Sequence, residues 1–100
     1  MLKIKDNVDL KELEKFGFVE LKSRDGTESL GWKWSTTIND DGEDVEVEIY
    51  VYSEDSRYRR LLVIDYNTED KLFDLIQAGL VEKVENNDLF WTIIWKDNRW

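Results

Sequence analysis

Apolar and polar residues alternate most regularly between Val45 and Tyr52. Val45, Val47, Ile49 and Val51 share one parity, and Glu46, Glu48, Tyr50 and Tyr52 share the other. That is the pattern of a half-buried antiparallel strand. Upstream, Leu30–Thr37 puts Leu30, Trp32, Trp34 and Thr36 on one face, with Gly31, Lys33, Ser35 and Thr37 on the other. Asn39-Asp40-Asp41-Gly42 between the two segments reads as a hairpin turn. Phe18–Lys22 predicts another strand, turned back through Arg24-Asp25-Gly26-Thr27. After a polar turn at Ser53–Arg57, Tyr58–Tyr66 predicts a fourth strand. Its run Leu61-Leu62-Val63-Ile64 predicts a central place in the sheet.

Two stretches have helical spacing. In Leu10–Phe16, Asp9 is a suitable N-cap and Glu12 stands where a capping box has its acid. Val8 and Leu13 fit a hydrophobic staple, Leu10 and Leu13 supply a buried stripe, and Gly17 followed by Phe18 ends the helix. In Glu69–Ala78, Asn67 or Thr68 caps the start, and Glu69 and Asp70 sit at the positive end. Leu72, Phe73, Leu75 and Ile76 are spaced for one buried face, and Gly79 stops the helix. Leu80–Val84 and Leu89–Lys96 predict a last hairpin around Asn86-Asn87-Asp88, apolar on both faces at its Trp-rich end. The expected fold is α+β. An antiparallel sheet of three to five strands carries two short helices on one face, in a single domain over residues 1–100.

Composition narrows the chemistry. The 100 residues include five Trp, four Tyr and four Phe, enough ring area that some must form the core. There is no cysteine, so disulfides, thiolate nucleophiles and cysteine metal sites are excluded. There is no histidine, which removes the commonest general base and transition-metal ligand. A non-enzymatic protein without cofactor or metal is expected. No apolar signal-peptide core follows Met1–Asp6, and no apolar run is long enough to span a bilayer, so a cytosolic protein is expected. The formal charge of −9 disfavours direct binding to nucleic acid and attracts basic surfaces.

Asp40, Asp41, Glu43, Asp44, Glu46 and Glu48 place six carboxylates within nine residues. Alternate strand residues lie about 7 Å apart, close to the step between phosphates of one nucleic-acid strand. Such a row can imitate phosphates to a basic groove, or simply be a solvated face paired with Lys33 or Arg59 across the sheet. The same stretch holds a broken calcium-loop pattern. Asn39, Asp41, Gly42 and Glu48 fit, but Thr37 replaces the first Asp and the flanks read as strands, so no metal site is expected. Carboxylate catalysis needs a cleft and unequal environments, which an exposed hairpin does not offer. Trp32 and Trp34 read as core, whereas Trp95 and Trp100 are candidate partner contacts. Arg57, Arg59 and Arg60 beside Tyr58 read as counter-charge for the acidic strand.

The blocks Lys3-Ile-Lys-Asp-Asn-Val-Asp-Leu-Lys-Glu-Leu-Glu-Lys-Phe-Gly-Phe18 and Asp70-Lys-Leu-Phe-Asp-Leu-Ile-Gln-Ala-Gly-Leu-Val-Glu-Lys-Val84 resemble short proteins encoded by phages and prophages of Gram-positive bacteria. The resemblance covers about a third of the chain and includes neither the acidic hairpin nor the Trp-rich end. It implies an accessory protein made in an infected bacterial cell. Small acidic proteins in that setting include anti-CRISPR inhibitors that occlude nucleic-acid grooves. The expected partner is therefore a basic host nucleic-acid-binding protein, with an RNA-guided nuclease of the Cas9 kind as one such target. The alternative is a structural or assembly protein that pairs, as a homodimer or with another phage protein, through Phe90–Trp100.

Overall fold

The computed structural model describes residues 1–84. In chain order they form β1 (Leu2–Ile4), a 3₁₀ helix (Leu10–Phe16), β2 (Val19–Lys22), β3 (Ser29–Asp40), β4 (Glu43–Tyr52), β5 (Leu62–Ile64), α1 (Glu69–Gln77) and β6 (Val81–Lys83). The class is α+β. A four-stranded antiparallel sheet runs in the order β2-β3-β4-β5, and β1 pairs with β6 in a second, two-stranded sheet. A bridge between Lys3 and Leu61 ties the two sheets together, and the Ile4 N–H donates to the Arg60 carbonyl at 2.9 Å.

The alternation of β4 decides where the core lies. Val47, Ile49 and Val51 are buried on its inner face, beside Trp32 of β3 and Leu62 of β5. Ile4, Leu13, Phe18 and Leu75 pack onto that face from β1, the 3₁₀ helix, its exit and α1. Asp9 caps the 3₁₀ helix by accepting the Lys11 N–H at 3.0 Å. Glu12 does not complete a capping box; its carboxylate pairs with Lys15 at 2.7 Å. Gly17, at φ 88°, turns the chain out of the helix, and the Phe18 N–H donates to the Leu13 carbonyl at 3.1 Å. That turn drops the Phe18 ring into the core.

Several expectations are corrected. β1 carries no strong pattern and was not expected. The strand foreseen over Tyr58–Tyr66 shrinks to Leu62–Ile64, because Arg60 takes a left-handed backbone with φ 64°. The Arg60 side chain is buried and donates to the carbonyls of Lys5 and Val8, each at 2.7 Å, which holds that conformation. Among the described residues β5 is an edge strand of its sheet, with Val63 and Ile64 exposed. In α1 only Leu75 is buried and Leu72 packs against the core. Phe73 and Ile76 lie about 100° round the helix from these two and are exposed. Val81–Lys83 forms a strand, and the partner found for it is β1. Its expected mate, Leu89–Lys96, lies outside the described residues.

Candidate functional site

β3 and β4 continue past their neighbours. β2 pairs with β3 only as far as Lys33, and β5 pairs with β4 only from Ile49. Among the described residues the six cross-strand pairs from Ser35–Glu48 to Asp40–Glu43 therefore form a two-stranded ribbon. Asp41 and Gly42 close it, with φ 51° and 84°, the paired left-handed conformation of a tight hairpin turn. Asn39 holds the turn, accepting the Gly42 N–H at 3.2 Å and donating to Asp44 at 3.4 Å. The ribbon rests against the body on its inner side, where Thr36, Ile38 and Val45 are half-buried. The Tyr66 hydroxyl donates to Asp40 at 3.3 Å there. Desolvation, then the charge and hydrogen bond of Asp40, push the Tyr66 phenol up and keep it a donor near neutral pH.

All six sequence-predicted carboxylates lie on this ribbon, but they do not form one surface. Asp44, Glu46 and Glu48 share the outer parity of β4, about 7 Å from one to the next along the strand. Asp40 and Glu43 face each other across the strands on the opposite parity, and Asp41 sits in the turn. The residues opposite the outer row are Asn39, Thr37 and Ser35, all neutral. Among the described residues a single cation pairs with the six carboxylates, Lys33 with Glu48 at 3.6 Å. Among the described residues Lys33 is thus the row's one counter-charge, and the Asp65 carboxylate, which accepts the Glu48 N–H at 2.9 Å, stands beside its inner end.

The expected counter-charge from Arg59 is elsewhere. Arg59 pairs with Asp6 at 2.7 Å and with Glu54, while Arg60 also engages Glu54. Hydrogen bonds from Lys3 and Arg59 hold the Asp6 carboxyl below its usual range. Desolvation opposes the same effect at Glu54, but bonds from Arg60 and Arg59 win and its pKa is lowered. This network borders an open depression of about 420 Å³ beside Asp6, Asp9, Leu10 and Glu54. Its role is to fasten the segment between β1 and the 3₁₀ helix to the end of β4.

The outer face continues beyond Glu48 as rings. Tyr50 and Tyr52 occupy the next two positions of the same parity, in edge-to-face contact at 5.1 Å. Tyr58 adds a third ring, 5.1 Å from Tyr52, and Arg57 lies 5.5 Å from the Tyr58 ring centre. The Tyr50 hydroxyl donates to the Leu30 carbonyl over Gly31, whose lack of a side chain leaves room for it. Desolvation, then Tyr52, raises the Tyr50 phenol. Val63 is opposite Tyr50 on one side, and Val19 is opposite Lys33 on the other. Both valines are at least half exposed, at 50% and 64%. The alternation of β4 had already put Tyr50 and Tyr52 on the face of Glu46 and Glu48. The valines join it only through strand register, which no local pattern reveals.

Trp32 is core, and Trp34 is half-buried with Lys71 5.3 Å from its ring. Trp95 and Trp100 lie outside the described residues. Among the described residues no group of three or more acidic side chains is placed to hold a metal ion, and Thr37–Glu48 is wholly strand and turn. Among them, too, no helix is long and apolar enough to cross a membrane. Comparison with known proteins found no matching family model, no matching curated protein and no matching solved structure.

Proposed function

We propose that this chain is a phage-type inhibitor that docks on the basic nucleic-acid-binding surface of a host protein in the bacterial cytoplasm. An RNA-guided nuclease, which holds nucleic acid in positively charged channels, is one such target. The observation that carries the reading is the row Asp44, Glu46 and Glu48 along one strand face, the first two exposed and Glu48 half-buried, with one cation beside it among the described residues. Carboxylates at that spacing offer a basic groove what a phosphate row offers. The charge steers the encounter, and buried side chains supply the lasting affinity. No catalytic step belongs to this reading.

The test compares the wild-type chain with a variant carrying Asp41→Asn, Asp44→Asn, Glu46→Gln and Glu48→Gln as baits in a Gram-positive bacterial extract. Wild type should retain a basic nucleic-acid-binding protein at low salt and release it as salt rises. The variant should retain at least about tenfold less, with a flatter salt dependence. Equal retention of the same proteins by both baits would reduce the ribbon's charge to a solubility feature and end this reading.

A further inference from the structure

We propose that Asp41-Gly42, at the tip of the ribbon, is a self-modification site where the backbone rearranges through a cyclic imide to an isoaspartyl link, and that Asp25-Gly26 is protected from the same reaction. The step joins the Gly42 amide nitrogen to the Asp41 Cγ. The amide proton and the hydroxyl of the protonated carboxyl leave as water, and the imide ring closes. Water then opens the imide at either carbonyl. One opening restores the aspartyl link. The other routes the backbone through Cβ and Cγ and leaves a free α-carboxylate. An Asp-Gly sequence suits the reaction, because glycine has no side chain to crowd the attacking nitrogen. The chain has two such sequences, and both lie in exposed turns.

The two turns hold their reacting groups differently. The Asp25 carboxylate accepts from the Ser23 hydroxyl at 2.7 Å, the Thr27 N–H at 3.1 Å and the Thr27 hydroxyl at 2.8 Å. Those bonds fix the carboxyl and keep it ionised. Lowered from 3.8 to about 2, it has about fiftyfold less of the reactive protonated form near neutral pH. The Gly26 N–H, the other reactant, donates to the Ser23 carbonyl at 2.8 Å. The Asp41 carboxylate, by contrast, has no hydrogen bond or ion pair among the described residues. The Gly42 N–H is held only by the Asn39 side chain, at 3.2 Å. The imide is uncharged, so closing it removes one carboxylate from a turn that also carries Asp40, Glu43 and Asp44. The isoaspartyl link adds a carbon to the backbone of a turn closed by Asp41 and Gly42 alone, so the modified tip loses the fit of Asn39 to the Gly42 N–H.

The experiment incubates the full chain in warm neutral buffer for several weeks, beside a sample held unfolded in guanidinium chloride. Isoaspartate is then mapped by proteolysis and electron-transfer mass spectrometry. The unfolded sample should form it at Asp25 and Asp41 at similar rates, since both residues precede glycine. In the folded chain the rate at Asp41 should exceed that at Asp25 by at least about tenfold, given the protonated form that Asp25 has lost. Thr27→Ala removes one donor to Asp25 and should speed that site severalfold while leaving Asp41 unchanged. Circular dichroism matching wild type shows that this variant keeps the fold. Comparable folded-state rates at the two sites, a faster rate at Asp25, or no product at Asp41 would each overturn the proposal. The same preference for Asp41 in the unfolded sample, or an Asp25 still slow in folded Thr27→Ala, would overturn the protection by these bonds.

Discussion

Gly31 lies where β3 passes beneath the Tyr50 ring, and Gly31→Ala tests how tightly the outer face is assembled. A Cβ built there would be 2.5 Å from the Tyr50 hydroxyl oxygen and 2.5 Å from the Val51 carbonyl oxygen. The carbonyl belongs to the β4 backbone in the middle of the sheet and has nowhere to go. The ring can move only by giving up its bond to Leu30. Gly31 also has φ 146°, a conformation that side-chain-bearing residues rarely adopt. Overpacking costs about 1–3 kcal/mol and a strained backbone about 1–3 kcal/mol, so the loss should be about 2–6 kcal/mol. Domains of this size have about 5–15 kcal/mol in all. Urea unfolding followed by tryptophan fluorescence should show the midpoint falling by about 1 M or more. Tyr50→Phe alone should cost about 1 kcal/mol for its hydrogen bond. Combined with Gly31→Ala it should recover part of the loss, since it removes the hydroxyl and frees the ring, whose Cζ lies 2.7 Å from the built Cβ, to move aside. A Gly31→Ala protein within about 0.5 kcal/mol of wild type would refute the close approach. Strict additivity of the two substitutions would refute the Tyr50 hydroxyl as a clashing group.

Two further predictions concern the fasteners of the fold. Arg60→Met leaves the carbonyls of Lys5 and Val8 and the Glu54 carboxylate without their guanidinium, and should cost about 2–4 kcal/mol. The melting temperature should drop by about 10 °C or more, and an unchanged melt would show that the β1 segment is held by something else. Asp25 accepts from the Ser23 hydroxyl, then the Thr27 N–H and the Thr27 hydroxyl, and these lower its pKa from 3.8 to about 2. A folded-state value below the unfolded one means that its stabilisation is complete above pH 3.8 and is lost as pH falls toward about 2. Asp25→Asn should abolish that part of the acid dependence. An NMR titration of the Asp25 carboxyl with a midpoint near 3.8 would contradict the turn geometry.

What could be read from the chain beforehand follows how local each determinant is. The parity of Val45–Tyr52, the Asp41-Gly42 turn, the Asp9 cap and the Gly17 stop are settled by neighbours in sequence, and each stands where it was expected. β1 escaped notice because Leu2-Lys3-Ile4 becomes a strand only by pairing with Val81–Lys83, nearly eighty residues away. The over-long strand before Tyr66 failed at Arg60, whose backbone is dictated by two carbonyls of a distant loop. Phe73 and Ile76 fitted a helical stripe, but α1 meets the core along a narrower line than the stripe allows. The acidic cluster was plain in composition. Its division between two faces was implicit in the parity of Asp40 and Glu43 against Asp44, Glu46 and Glu48, and the ring face emerged only with the register of β2 and β5.

The ribbon has a consequence for the chain's behaviour toward its own copies. Among the described residues the hairpin outruns its neighbouring strands, and backbone donors and acceptors along such margins tend to zip onto one another. Two copies brought margin to margin would set Asp44, Glu46 and Glu48 of one beside the same residues of the other, at separations where like charges repel strongly. Those charges oppose margin-to-margin pairing of the hairpin with its own copies. The surface proposed to dock on a basic groove is, by the same charges, closed to its twin.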